Sequence, residues 1–169
     1  MRPDIRPERA EDAAAVRRVN DAAFARPDEA DLVDRLRERV PSYLALVAVL
    51  DGEVVGHIAF TPVTLDPARP GLDVRGLAPM AVLPPHQRSG IGAALVHAGL
   101  DACRRDGADG VVVLGHPDYY PRFGFEPAAA SGLASEYDVP PEAFMVQALR
   151  QGALDGVEGL VRYDAVFAS

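Results

Sequence analysis

The sequence predicts an α/β fold, a mixed sheet with helices in one domain spanning residues 1–169. Three observations carry this prediction. Helical patterns come first, then a hairpin, then strand–helix–strand, then a terminal pair of strands, an order that suits helices packed against a sheet. Asp51-Gly52 parts two runs rich in Leu and Val, the signal of an antiparallel hairpin. The 169 residues, with no internal repeat or linker-like tract, are enough for a single real core.

Taken in order, Ile5-Arg6-Pro7 reads as a short strand. From Glu11-Asp12 to Phe24 the chain is alanine-rich, with Val16, Val19 and Ala23 at helical spacing. Arg26-Pro27 breaks that helix. Asp28 can cap a second one, whose Leu32, Val33, Leu36 and Val40 share an apolar face, and Pro41 ends it. Ser42 to Leu50 and Glu53 to Leu65 are the hairpin strands, followed by a loop from Asp66 to Gly71. The unbroken apolar run from Leu77 to Leu83 predicts a strand buried on both faces.

After Pro84-Pro85, a helix from Ile91 to Arg105 carries Ile91, Ala94, Leu95, Ala98 and Ala102 along one stripe. Arg104-Arg105 suits its C-terminal end, and Gly107 stops it. Val111-Val112-Val113 makes Gly110 to Leu114 a strand. Asp118 to Phe123 is a short turn or helix, and Ser131 to Pro141 an irregular surface loop. Ala143 to Leu149 and Leu160 to Phe167 complete the chain as strands.

Composition removes several function classes. The formal charge is −8, which argues against a nucleic-acid or anionic-membrane partner and mildly favours an amine substrate. All 17 basic residues are arginine, so Schiff-base chemistry and the lysine of a nucleotide-binding P-loop are excluded. A single Cys103 and four scattered histidines offer no metal-ligand spacing, so no metal is expected. No apolar run reaches the roughly 20 residues of a membrane helix, and the start lacks a signal-peptide core, so the expected compartment is cytoplasmic.

The chemistry centres on Gln87-Arg88-Ser89-Gly90-Ile91-Gly92-Ala93, between the apolar strand and its following helix. Strand, glycine-rich turn and helix together bind phosphate, because first-turn N–H groups lack internal partners. The dinucleotide fingerprint fails, since its third glycine position is Leu95. What fits is Gln87-x-x-Gly90-x-Gly92. This stretch resembles the acetyl-CoA pyrophosphate loop of the GCN5-related N-acetyltransferase (GNAT) superfamily. Asp4-Ile5-Arg6 with Glu11-Asp12, Leu77 to Val82, and Tyr119 to Phe125 resemble further segments of that family in the same order, closest to a poorly characterised bacterial branch.

The resemblance implies a central, mostly antiparallel sheet of about six to seven strands flanked by about four helices. It implies acetyl-CoA as acyl donor, gripped by main-chain N–H groups of the loop from Gln87 through Arg88, Ser89, Gly90, Ile91, Gly92 and Ala93. Met80, Ala81 and Val82 would offer main-chain hydrogen bonds to the pantetheine arm. Tyr120 would protonate the departing thiolate, while Tyr119, Phe123 and Phe125 pack. Arg88 either adds a charge to the anion site or is a solvated arginine.

Many relatives carry a glutamate on the central strand; here Ala78-Pro79-Met80-Ala81 holds no carboxylate. The general base is therefore water, His116 or another group, and His57 reads as a structural histidine. Asp28, Glu29 and Asp31 either recognise an amine or charge a helix N-terminus. The expected function is acetyl transfer to a primary amine, of a small molecule or a peptide, by direct attack in a ternary complex, with the protein a monomer or homodimer. The alternative is a non-catalytic CoA- or acyl-CoA-binding sensor or docking module of the same fold.

Overall fold

The computed structural model describes residues 2–168. Among them the strands are β1 (Asp4–Pro7), β2 (Leu44–Leu50), β3 (Glu53–Asp66), β4 (Val74–Val82), β5 (Gly110–Leu114), β6 (Glu126–Pro127), β7 (Leu133–Ser135), β8 (Phe144–Ala148) and β9 (Gly159–Arg162). The α-helices are α1 (Ala13–Phe24), α2 (Asp28–Arg39) and α3 (Ile91–Arg105). The sheet runs β1-β2-β3-β4-β5-β8-β6, with β9 on the far end of β3 and β7 beside β9. The pairs β4–β5 and β7–β9 are parallel; the other pairs are antiparallel.

Strand alternation distributes the cores. In β2, Leu46 and Ala48 point to α3, packing with Ile58, Phe60, Leu95 and Leu100, while Val47 points the other way to Val16, Val19 and Val33 of α1 and α2. In β5, Val111 and Val113 join the α3 side, and Val112 joins a separate core with Val146, Val157 and Val161. Each fully enclosed side chain of this size contributes roughly 1.5–3 kcal/mol.

The architecture matches the expected class, with four differences in detail. The described residues hold nine strands, because β6 and β7 are too short to leave an alternating pattern; β7 lies inside the stretch read as loop. They hold three α-helices, because Tyr120–Phe123 closes as a single 3₁₀ turn at Gly124, whose φ is +98°. The last strand stops at Arg162, and Ala165–Ala168 forms another 3₁₀ turn. Pro27, not Asp28, occupies the N-cap of α2, so Asp28, Glu29 and Asp31 fill its first turn and complement the helix dipole.

β4 begins at Val74, before the apolar run. Its Arg75 escaped the pattern because it is buried yet paired, 2.7 Å from Asp73 and 2.9 Å from Asp106. Burial along β4 is also incomplete, since Ala78 and Met80 keep partial exposure.

One polar cluster is enclosed between β2, β3 and α1. The His57 Nε2 lies 3.1 Å from Glu8 Oε1, and the Tyr43 hydroxyl donates to the same oxygen over 2.9 Å. Asn20 Nδ2 sits 3.4 Å from His57 Nδ1. The arrangement suits a neutral imidazole with its proton on Nε2, and His57 is the structural residue the sequence suggests.

Candidate functional site

Strand β4 is the spine of the site. It pairs with β5 only from Val74↔Gly110 to Gly76↔Val112, yet β4 continues to Val82 and β5 to Leu114. Beyond Gly76 the two strands part. Main-chain groups of β4 on that side are left without a strand partner, and an extended ligand can pair with them. A register shift between Ile58 and Phe60 of β3, opposite Leu77 to Met80, adds local twist at the same level.

After β4, a 3₁₀ turn at Pro84–His86 leads into the glycine-rich loop. Gln87 ties this loop back to the strand: its side-chain amide donates to the Val82 carbonyl over 2.9 Å. Arg88 and Gly90 take left-handed backbone conformations, with φ of +62° and +90°. Gly90 is the N-cap of α3, and its carbonyl receives the first intrahelical bond, from Ala94 at 3.0 Å. The N–H groups of Ile91, Gly92 and Ala93 therefore have no intrahelical acceptor, an arrangement that suits an anion.

A cavity of about 610 Å³ joins loop and strand. Met80, Ala81 and Val82 form one wall; Gln87, Arg88, Gly90, Gly92 and Ala93 form another. Ala23 and Phe24, at the end of α1, and Tyr119 and Arg122 close it. Gly92 packs closely under Tyr119: a Cβ there would sit 3.2 Å from the hydroxyl, so the ring would have to give by a few tenths of an ångström.

Eight of the ten residues named from sequence as cofactor-binding line this cavity. Ser89 does not; it is exposed, and its hydroxyl turns to the His86 carbonyl. The Ile91 side chain lies in the core, so only its main chain can serve the loop.

The two tyrosines divide differently from the sequence expectation. Tyr119, read as packing only, lines the cavity, with the Arg122 guanidinium 4.7 Å from its ring centre. Tyr120 is 8% exposed and stands behind it, ring centres 5.1 Å apart, packed against Phe125 and closely over Gly115 just past β5. Burial, with a smaller push from Tyr119, raises the Tyr120 phenol to about 12, so it stays protonated at neutral pH. No hydrogen-bond partner engages its hydroxyl among the described residues.

No Asp, Glu or His lines the cavity. His116 is exposed; its carbonyl accepts the Tyr119 N–H, and its ring is outside the cavity wall. Glu29 pairs with Arg26 and Asp31 with Arg17, each at 2.7 Å, which accounts for two of the three acids at the start of α2. Cys103 is fully buried, and burial pushes its thiol up to about 12, leaving it unreactive. Among the described residues no cluster of three or more His, Cys, Asp or Glu could hold a metal ion, and no helix is long and apolar enough to cross a membrane.

A family model for the acetyltransferase (GNAT) domain matches residues 4–128. The chain belongs to the GNAT acetyltransferase family. Its GNAT relatives include the uncharacterized N-acetyltransferase YhbS of Escherichia coli K12, 40% identical over 159 residues, covering 92% of this chain and 93% of YhbS. The crystal structure of E. coli YhbS in complex with CoA superposes with a TM-score of 0.91 at 38% identity, over 100% of this chain and 93% of that one. A Brucella melitensis GNAT acetyltransferase in complex with acetyl-CoA gives a TM-score of 0.80 at 39% identity, over 98% and 97% of the two chains.

This GNAT chain also uses residues that sequence reasoning passed over. Phe24 reads as a helix end, and Arg122 as one residue of the Tyr119 to Phe125 stretch with no role of its own; only the fold brings both to the cavity. The spacing of Arg122 three residues after Tyr119 was the available signal, because one 3₁₀ turn stacks such a pair.

Proposed function

We propose that residues 1–169 form one domain that transfers an acetyl group from acetyl-CoA to a primary amine. The observation carrying this reading is the cavity where the open edge of β4 meets the N-terminus of α3. The CoA and acetyl-CoA complexes of the two similar structures support it. The pyrophosphate would rest on main-chain N–H groups from Arg88 to Ala93, with the Arg88 guanidinium beside it, and the pantetheine arm would pair with Met80, Ala81 and Val82.

In the proposed reaction both substrates bind together, and the neutral amine nitrogen attacks the thioester carbonyl. The C–S bond breaks, the phenol of Tyr120 gives its proton to the departing thiolate, and the amine's surplus proton passes through water and restores the phenol. Burial keeps the Tyr120 phenol protonated at neutral pH, so a proton is on hand beside Gly115, just past the end of β5. Tyr119, on the cavity wall, competes for the acid role. Tyr120→Phe is expected to lower kcat by about 10²-fold with acetyl-CoA affinity retained, and Tyr119→Phe to act mainly on affinity. The reverse pattern would transfer the role to Tyr119.

The cavity wall without a carboxylate or imidazole favours one second reading, a CoA-binding sensor without turnover. A panel of amines with thiol-release detection separates the two. Amine-dependent release with a matching acetylated product establishes the transferase; acetyl-CoA binding without release for every amine establishes the sensor.

A further inference from the structure

A second cavity, of about 230 Å³, is lined by Leu77, Ala78, Leu114, Tyr137, Tyr163 and Phe167. We propose that this aromatic chamber receives the acceptor, a primary amine joined by a short linker to one flat apolar or aryl group. The proposal rests on the transferase reading and names its substrate class.

Position comes first. Ala78 is two residues along β4 from Met80, which lines the larger cavity. Leu114 ends β5 and precedes Gly115, over which Tyr120 packs. Leu77 and Ala78 of β4 and Leu114 of β5 line the chamber just beyond the last β4–β5 pair, Gly76↔Val112, and in the proposal a thioester lying along β4 has its carbonyl between the two cavities.

The chamber is built by pairing between distant segments. β7 and β9 run parallel with Ser135 beside Val161, which carries Tyr137 and Tyr163 forward to the same level. Their ring centres are 5.8 Å apart, and Phe167 stands 5.3 Å from Tyr163. Glu136 clasps the two segments: its carboxylate accepts the Tyr163 N–H over 2.8 Å and lies 3.7 Å from Arg162.

Its chemistry selects the ligand. Leu77, Ala78, Leu114 and three aromatic rings give a carbon-rich wall that matches a planar apolar group. The volume falls below that of typical ligand pockets, which restricts the guest to about one ring and its linker. The Tyr163 hydroxyl is enclosed with no hydrogen-bond partner among the described residues, a cost that a polar atom on the ligand would remove. Tyr137, at 40% exposure, leaves a large aromatic surface open for a guest to cover. Aromatic faces attract the incoming ammonium, and the apolar interior then favours the neutral amine that attack requires. The carboxylate beside the two tyrosines, Glu136, is already engaged by the Tyr163 N–H and lies 3.7 Å from Arg162, so it does not neutralise the several charges of a polyamine.

The test compares phenethylamine and benzylamine with putrescine and spermidine, by thiol release from acetyl-CoA with the full chain. The aryl amines are expected to exceed the polyamines in kcat/KM by about tenfold or more. Tyr137→Ala and Phe167→Ala are each expected to raise KM for phenethylamine about tenfold without altering acetyl-CoA affinity. A preference for polyamines, or an unchanged KM in both variants, overturns the proposal. Saturation-transfer NMR of phenethylamine with the CoA-loaded protein keeps the two readings apart. Binding that Tyr137→Ala abolishes supports the chamber even where no amine turns over and the transferase reading fails; absence of binding overturns the chamber alone.

Discussion

The side-chain amide of Gln87 donates to the main-chain carbonyl of Val82 over 2.9 Å, fastening the glycine-rich loop to the end of β4. Two walls of one cavity are thereby held in fixed relation, since Val82 belongs to the strand wall and Gln87 to the loop wall. Removing the bond frees the loop without emptying the core. Gln87→Ala is expected to weaken acetyl-CoA binding by about five- to tenfold, the equivalent of one net hydrogen bond of about 1 kcal/mol, with the melting temperature shifted by only a few degrees. Calorimetric titration and a thermal scan check both halves.

Gly90 caps α3 with φ of +90°, and nothing lies within 4 Å of where its Cβ would be. A substitution there meets no clash, so any cost is conformational. Gly90→Ala is expected to cost about 1–2 kcal/mol of stability and to weaken acetyl-CoA binding further by tilting the N–H groups of Ile91 to Ala93. Urea unfolding with and without CoA measures the two effects, and the ligand-induced gain should shrink in the variant.

The enclosed cluster around His57 predicts a loss of stability on mild acidification. Burial pushes the imidazole pKa below its ordinary 6.5, against the opposing pull of Glu8. The unfolded chain therefore binds the proton first, and stability falls as pH drops below about 6.5. Glu8 acts in the same sense at lower pH. Burial alone would raise its carboxyl, but hydrogen bonds with His57 and Arg37 outweigh it and hold the value at about 2, against 4.5 when free. Its contribution is complete above 4.5 and is lost as pH falls toward 2. Urea midpoints from pH 8 to 5 should decline below 6.5 in the native protein and lose that component in His57→Gln.

Much of this was legible from local chemistry. Gln87, Gly90 and Gly92 announce the loop because an anion site needs its backbone and helix start in consecutive residues. The hairpin at Asp51-Gly52 and the stripe on α3 are equally local. What stayed hidden depends on tertiary pairing. Arg75 looked foreign to a strand until Asp73 and Asp106 were placed beside it. The facing of Tyr119 and Tyr120 turns on the 3₁₀ geometry after residue 119, which spacing alone does not fix. Tyr137 and Tyr163 meet through β7 and β9, two strands too short to leave a period and far apart in the chain.

The most direct measurement is a crystal structure of the protein with CoA. The pyrophosphate should accept hydrogen bonds from main-chain N–H groups between Arg88 and Ala93, and the thiol sulfur should lie within hydrogen-bond reach, about 3–3.5 Å, of the Tyr120 hydroxyl where β4 and β5 part. A pyrophosphate bound away from the start of α3, or a sulfur out of reach of Tyr120, would contradict the account.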